Sequence, residues 1–311
     1  MSRTAFLFSG QGQQVVGMAS DLCETFETAR RTLEEADEAL GEPLSQLIAQ
    51  GPAEELTLTA NAQPALLAVS TAYARVLDEH LVVPNVVAGH SLGEYTALVV
   101  AGSLDFADAV RVVRRRGELM QEAVPAGEAG MVALVGADVF TAEEVCRRVG
   151  AEGGRVEIAA DNCPGNVVIS GSLRDLRRAG QLARGLDVHD AVPLAVSAPF
   201  HSAALVPAAE ALAETLAATP LAPPRIAFFA NVTALPMADP DRIRDNLVRQ
   251  VFMPLRWRQS VERILAVVDR VVQVGPGRAL LGHVKRIQRR FPVFASEDVG
   301  DRDRLLSAEG P

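Results

Sequence analysis

Short apolar runs bounded by glycine or proline alternate along the chain with longer stretches whose apolar residues recur every three or four positions. The short runs read as strands buried on both faces and the longer stretches as helices lying on them. This alternation predicts an α/β protein with a mainly parallel sheet. Residues 4–8 (TAFLF), 86–88, 226–230 (IAFFA) and 271–274 are the expected strands, and residues 21–40, 63–81, 92–101 and 106–124 the expected helices. Two strands run into glycine-bearing turns that open helices, at SGQGQQ and AGHSLGEY. Ligands of open α/β sheets sit outside such strand ends.

From about residue 130 to 194 the rhythm shortens. Strand MVALVG, helix 142–149, strand VEIAA, a turn at NCPG, strand VVISG, helix 173–186 and strand AVPLAV follow one another. Their order, β-α-β-β-α-β, is that of a ferredoxin-like layer. The expected organisation is a large α/β lobe over residues 1–127 and 197–295, interrupted by a small ferredoxin-like lobe over 128–196. Residues 296–311 (SEDVGDRDRLLSAEGP) read as a polar C-terminal tail.

Composition narrows the function classes. A chain of 311 residues, 49% of them hydrophobic, can bury a large core without disulfides or metal clips. Cys23, Cys146 and Cys163 are odd in number and form no CxxC pair, so no metal site is expected and a reducing compartment fits. The N-terminus reaches glycine and glutamine after a short apolar run, without a signal-peptide core or the roughly 20 apolar residues of a membrane span. The expectation is a cytoplasmic protein with no membrane partner. Lys plus Arg total 30 against 39 Asp plus Glu, a net charge of −9, which argues against nucleic acid as a partner.

The candidate chemistry centres on Gly89-His90-Ser91-Leu92-Gly93. This G-x-S-x-G sequence follows an apolar run and opens a helical one, the setting of a nucleophile elbow, and makes the large lobe hydrolase-like. Two glycines permit the sharp turn, and the helix N-terminus offers N–H groups to a nascent oxyanion. A serine hydroxyl needs a positioned base, most often histidine. Of five histidines, His90 adjoins the serine and reads as packing, while His80 and His189 read as surface residues. His201, in SAPFHS at the boundary between the lobes, stands only slightly ahead of His283 on spacing alone.

Several ordered segments resemble one known family. They are FLFSGQGQQVVGM (6–18), GPAEELTLTANAQPALL (51–67), AGHSLGEYTALVVAG (88–102), RRGELMQEAVP (115–125), NCPGNVVISG (162–171), SAPFHS, LVRQVFMPLRW (247–257) and VGPGRALLGHVKRI (274–287). The chain is similar, over residues 3–293, to the malonyl-CoA:acyl carrier protein transacylases of fatty acid synthesis and the related acyltransferases of polyketide synthesis. That family also has the inserted ferredoxin-like layer.

The resemblance implies roles, position by position. Ser91 matches the acylated nucleophile and His201 its general base, with a main-chain carbonyl at Gln250 behind the base. The N–H groups of Gln11 and Leu92 match the oxyanion donors. Arg116 matches the arginine that pairs with the free carboxylate of a malonyl group; a planar guanidinium offers a carboxylate two parallel donors. Without the resemblance Arg116 reads as one of several solvated arginines on its helix. Met120, Gln63 and Asn162 match substrate-binding positions, and Phe200 matches members preferring malonyl over methylmalonyl.

The implied reaction moves a malonyl group from coenzyme A to the phosphopantetheine thiol of an acyl carrier protein by a ping-pong route. The coenzyme A thioester is the substrate, no cofactor is needed, and a monomer is expected. Lys285, Arg286, Arg289 and Arg290 form a basic cluster that an acidic carrier could dock on, or else a solvated helix face. The segment APFH departs from the HAFH of multidomain polyketide enzymes and the PSH of some fatty acid enzymes, so fatty acid and trans-acting polyketide pathways both stay open. A thioester hydrolase acting on carrier-bound acyl groups is the alternative, against which the presence of Arg116 counts.

Overall fold

A computed structural model describes residues 2–307 except 126, 187 and 197. Ser197, the first residue of SAPFHS, therefore lies outside the described residues, as do residue 1 and residues 308–311 of the expected tail.

The described residues form ten strands in two sheets. They are β1 (Thr4–Phe8), β2 (Val86–Gly89), β3 (Ala129–Val135), β4 (Val156–Cys163), β5 (Asn166–Ser172), β6 (Asp190–Pro193), β7 (Ala227–Phe229), β8 (Pro236–Met237), β9 (Arg270–Val274) and β10 (Val293–Ala295). The larger sheet runs β10-β9-β1-β2-β7-β8, with every pair parallel except β7 with β8. All five residues of β1 are buried because helices cover both faces. Phe6 and Phe8 pack on one side with helices Thr59–Glu79 and Phe106–Glu122, while Ala5 and Leu7 pack on the other with Trp257, Val261 and Leu280. A parallel strand covered on both faces reads as an unbroken apolar run, which is why TAFLF and IAFFA are legible as strands.

The smaller sheet is antiparallel, in the order β4-β5-β3-β6. With helices Val139–Ala151 and Leu173–Ala183 on one face, this is the ferredoxin-like arrangement that the element order predicts. Val132, Leu134, Val167 and Ile169 face those helices. Met131, Ala133 and Val168, one residue out of phase, face the large core instead, beside Phe200 and Leu255. Backbone hydrogen bonds through Leu255 to Ala159 (2.9 Å) and Asp161 (3.0 Å) fasten this sheet to the larger body.

Two expectations are corrected. The single helix expected over 21–40 is two, Ser20–Thr25 and Glu27–Leu40, because Phe26 takes an extended conformation (φ −116°) and turns its ring edge-on to His80. The polar tail expected from residue 296 is folded over its first part. Ser296 is buried, and Val299–Leu306 forms a helix capped by Asp298. Leu305 is buried on one face of that helix, and Arg302, also buried, pairs with Asp21 at 2.6 Å. Among the described residues no helix is long and apolar enough to cross a membrane.

Candidate active site

Residue 91 sits where β2 ends and helix Gly93–Val100 begins. Its φ of +51° is a conformation that L-residues adopt only when the surroundings hold them there. The two glycines of the motif explain how the turn closes. A Cβ at Gly89 would lie 1.8 Å from the carbonyl carbon of Gly93, and one at Gly93 would lie 2.1 Å from the Phe8 oxygen. The elbow is then pinned by Asn231, whose Oδ1 accepts from Ser91 N (2.8 Å) while its Nδ2 donates to the Gly89 oxygen (2.6 Å).

At the tip of the elbow the Ser91 hydroxyl lies 2.9 Å from His201 Nε2. His201 Nδ1 is 2.7 Å from the Gln250 main-chain oxygen. A carbonyl can only accept, so Nδ1 carries the proton and Nε2 is left as the acceptor for the serine O–H. Burial, followed by the charge of Arg116, pushes the His201 pKa down to about 3, so the ring is neutral at physiological pH. His201 is itself strained, at φ +58°.

Arg116 completes the cluster from helix Phe106–Glu122. It is 1% exposed, so the solvated-arginine reading is wrong for this position. Nη1 donates to Gln63 Oε1 (2.6 Å), and Nη2 to Gln250 Oε1 (3.0 Å) and Ser91 Oγ (3.2 Å). All three acceptors are neutral, and no carboxylate forms an ion pair with Arg116 among the described residues. A cation buried without a counter-charge carries a desolvation cost that a bound anion would offset. Gln63 in turn contacts Met120 Sδ at 3.7 Å, so of the two expected pocket residues Gln63 meets the guanidinium and Met120 backs Gln63.

The other expected residues are placed as follows. Gln11 follows Gly10, where a Cβ would meet the His90 oxygen at 2.7 Å, so the first glycine turn lies directly against the elbow. The N–H groups of Gln11 and Leu92 have no protein acceptor among the described residues. Phe200 is buried next to His201, and its carbonyl accepts from Ser170 Oγ at 2.6 Å. Asn162 joins His90 Nε2 (2.8 Å) and Asn166 (3.0 Å) and makes no hydrogen bond to the Ser91–His201–Arg116 group. His283 stands beside His90, with ring centroids 6.3 Å apart, and does not contact Ser91. In the basic cluster, Lys285 and Arg286 spend a donor on the Phe291 and Gly165 carbonyls, and Arg289 and Arg290 are exposed. Among the described residues no group of three or more His, Cys, Asp and Glu is placed to hold a metal ion.

Two participants, Asn231 and Glu94, are absent from the sequence expectations. Glu94 is 1% exposed beneath the elbow, where burial pushes its pKa up to about 8. A lone acid in the apolar helix sequence LGEYTALVV was the available signal, as was a polar residue directly after IAFFA.

These buried groups set how stability depends on pH. Burial holds His90, His201 and His283 below the ordinary 6.5, the last two at about 3, so the unfolded chain binds more protons between those values. Their stabilising contribution is present above pH 6.5 and is lost as pH falls. Glu94 acts oppositely: its contribution is present below the ordinary 4.5 and is lost as pH rises towards about 8. Each group adds a slope of ~1.4 kcal/mol per pH unit, so the histidines prevail on the acid side. Thermal melts are expected to be highest near pH ~6.5, falling on the acid side and falling again towards pH ~8. A melting temperature flat from pH ~5 to ~7 would refute the burial of these rings.

Comparison with known proteins agrees with the geometry. The model of the acyl transferase domain family matches residues 5–289. A malonyl CoA-acyl carrier protein transacylase of Bacillus subtilis is 46% identical over 299 residues, covering 96% of this chain and 94% of that protein. The Escherichia coli K12 protein of the same name is 45% identical over 289 residues, 92% of this chain and 93% of its own. An acyl carrier protein S-malonyltransferase structure from Vibrio cholerae superposes with a TM-score of 0.94 at 42% identity, covering 98% of this chain and all of that one. A malonyl-transacylase solved in complex with a type II PKS acyl-carrier protein superposes at 0.95 and 41% identity, covering 98% and 99%. Similarity of this extent in sequence and fold, reaching across both sheets, places the chain in the malonyl-CoA:acyl carrier protein transacylase family of acyl transferases.

Proposed function

We propose that this chain transfers a malonyl group from coenzyme A to an acyl carrier protein through an ester on Ser91. The observation that carries the reading is the Ser91 hydroxyl held between a neutral His201 and a buried Arg116 that forms no ion pair with a carboxylate among the described residues. In the first half-reaction His201 Nε2 takes the serine proton as Oγ attacks the thioester carbonyl, and returns it to the departing coenzyme A sulfur. In the second, the carrier's phosphopantetheine thiol gives its proton to His201 and attacks the ester, and Ser91 is restored. The Gln11 and Leu92 N–H groups serve the oxyanion of both tetrahedral intermediates, each worth about 3 kcal/mol. Arg116, held by Gln63 with Met120 behind it, receives the malonyl carboxylate, which lies three bonds from Oγ in the ester.

Phe200 limits space for an α-substituent, a preference of only about 1–3 kcal/mol for one methyl. Asn162 acts on the site by fixing His90 under the elbow. The exposed arginines 289 and 290, with Lys285 and Arg286, form the edge on which an acidic carrier docks. The chemistry calls on no cofactor beyond the thioester substrate.

Intact-mass spectrometry tests the reading. The protein is expected to gain one malonyl group from malonyl-CoA and to lose it only when holo carrier is added. Loss to water at a comparable rate would instead make it a hydrolase. In single-turnover assays His201→Ala is expected to slow both half-reactions by about 100-fold or more. His283→Ala is expected to cost stability rather than rate, since its ring packs on the His90 side and stands away from Ser91. A dead but folded His283→Ala beside a near-normal His201→Ala would reverse the assignment.

A further inference from the structure

Glu94 lies three residues beyond Ser91 on helix Gly93–Val100, and the reaction as derived makes no use of it. Its carboxyl accepts from Gln250 Nε2 (2.5 Å) and from Asn231 N (3.3 Å to each oxygen). The same Gln250 Nε2 also donates to the Ser91 carbonyl (2.9 Å), while Gln250 Oε1 accepts from Arg116. One amide side chain therefore has the Glu94 carboxyl at its donor end and the Arg116 guanidinium at its acceptor end. Its own main-chain oxygen holds His201. Asn231, the second partner of Glu94, is the residue that pins the elbow.

We infer that Glu94 is a positioning residue that acts through Gln250 on both Arg116 and His201, and that its ionisation loosens the hold of Arg116 on an acyl carboxylate. The inference rests on the transferase reading. Arg116 is a single buried cation with two possible anions, Glu94 through the Gln250 bridge and the substrate carboxylate directly. Binding of one must disfavour the charge on the other, and the coupling is reciprocal. With Glu94 protonated the full guanidinium charge is available to the substrate. With Glu94 ionised it is already half-answered.

The other titratable groups facing Glu94 do not change charge in the same range. Tyr95, on the same helix, is pushed up to about 12 by burial, and His201 down to about 3. Arg116 stays charged, although burial lowers its pKa. Burial holds Glu94 itself near 8, which puts the transition in a measurable window.

The test is single-turnover acylation of the intact protein by malonyl-CoA from pH ~6 to pH ~9.5, with acetyl-CoA as a carboxylate-free control. In the native protein the half-saturating malonyl-CoA concentration is expected to rise about fivefold or more between pH ~7 and pH ~9, with no matching rise for acetyl-CoA. Glu94→Gln keeps an acceptor for Gln250 and cannot ionise, so its malonyl-CoA dependence on pH is expected to be flat. Glu94→Ala strands the Gln250 and Asn231 donors, and its acylation constant is expected to drop about tenfold or more at every pH, with partial rescue in Glu94→Gln. A Glu94→Gln profile that rises like the native one overturns the inference, and this variant decides even if Glu94→Ala does not fold. If the native protein forms no malonyl adduct at all, the transferase reading fails. If the adduct forms and the two profiles coincide, the role given to Glu94 fails alone.

Discussion

Ser91→Ala is expected to abolish capture of the malonyl group and to lower transfer to the carrier by about 10⁴-fold or more, the scale on which removal of an activated nucleophile acts. Among the described residues, the Ser91 Oγ is the hydroxyl within hydrogen-bond distance of both His201 Nε2 and Arg116 Nη2, so no other described hydroxyl is placed to substitute. Direct attack of the carrier thiol on bound malonyl-CoA would still find the Gln11 and Leu92 N–H groups, which is why a residual rate is expected. The fold should survive. The elbow is held through the Ser91 main-chain N–H on Asn231 and the Gln250 side chain on the Ser91 carbonyl, neither of which the substitution touches. The measurements are intact mass after exposure to malonyl-CoA, carrier loading over time, and a thermal melt. A one-malonyl mass gain that persists in Ser91→Ala would remove Ser91 from the mechanism.

The fold and the site differ in how much of each the sequence reveals, and the difference has a physical origin. Parallel strands buried on both faces leave continuous apolar runs, so β1 and β9 can be placed almost to the residue. The elbow is equally legible, because its glycines are demanded by contacts of about 2 Å that no other residue could tolerate. The break at Phe26 is not legible, since it depends on a ring finding His80 across the fold. Nor is the docking of Arg302 on Asp21, which turns an apparently polar tail into a folded helix. Within the site, periodicity marks Arg116 as one of a run of helix arginines. Only the tertiary fold separates it from Arg111 and Arg115, which pair with Asp108 and Glu118 on the surface. Gln250 is a similar case. Its part in the site depends on a main-chain carbonyl, and a carbonyl leaves no trace in residue identity, so resemblance to a family was the sole route to it.

Arg116→Ala is the substitution expected to separate the acyl groups from one another. Among the described residues the guanidinium meets neutral oxygens, and a malonyl carboxylate would be its first full counter-charge. Without it that carboxylate is buried unpaired, at a cost of about 3–5 kcal/mol. The rate constant for malonyl-CoA should therefore fall about 100- to several-thousand-fold. Acetyl-CoA should behave differently, because the Arg116 charge also opposes protonation of His201. With malonyl bound, its carboxylate screens that charge as the imidazolium forms. With acetyl bound the charge is bare, and the native site works against its own base. Removing Arg116 lifts this opposition, so acetyl transfer is expected to hold or to rise while malonyl transfer collapses. Arg116→Lys, a point charge that cannot span Gln63, Gln250 and the substrate together, should recover only part of the malonyl rate. Acylation rates for both thioesters in the three proteins give the answer. A parallel loss for malonyl and acetyl in Arg116→Ala would mean that Arg116 serves only to hold Gln63 and Gln250 in place, and that selection of the carboxylate lies elsewhere in the pocket.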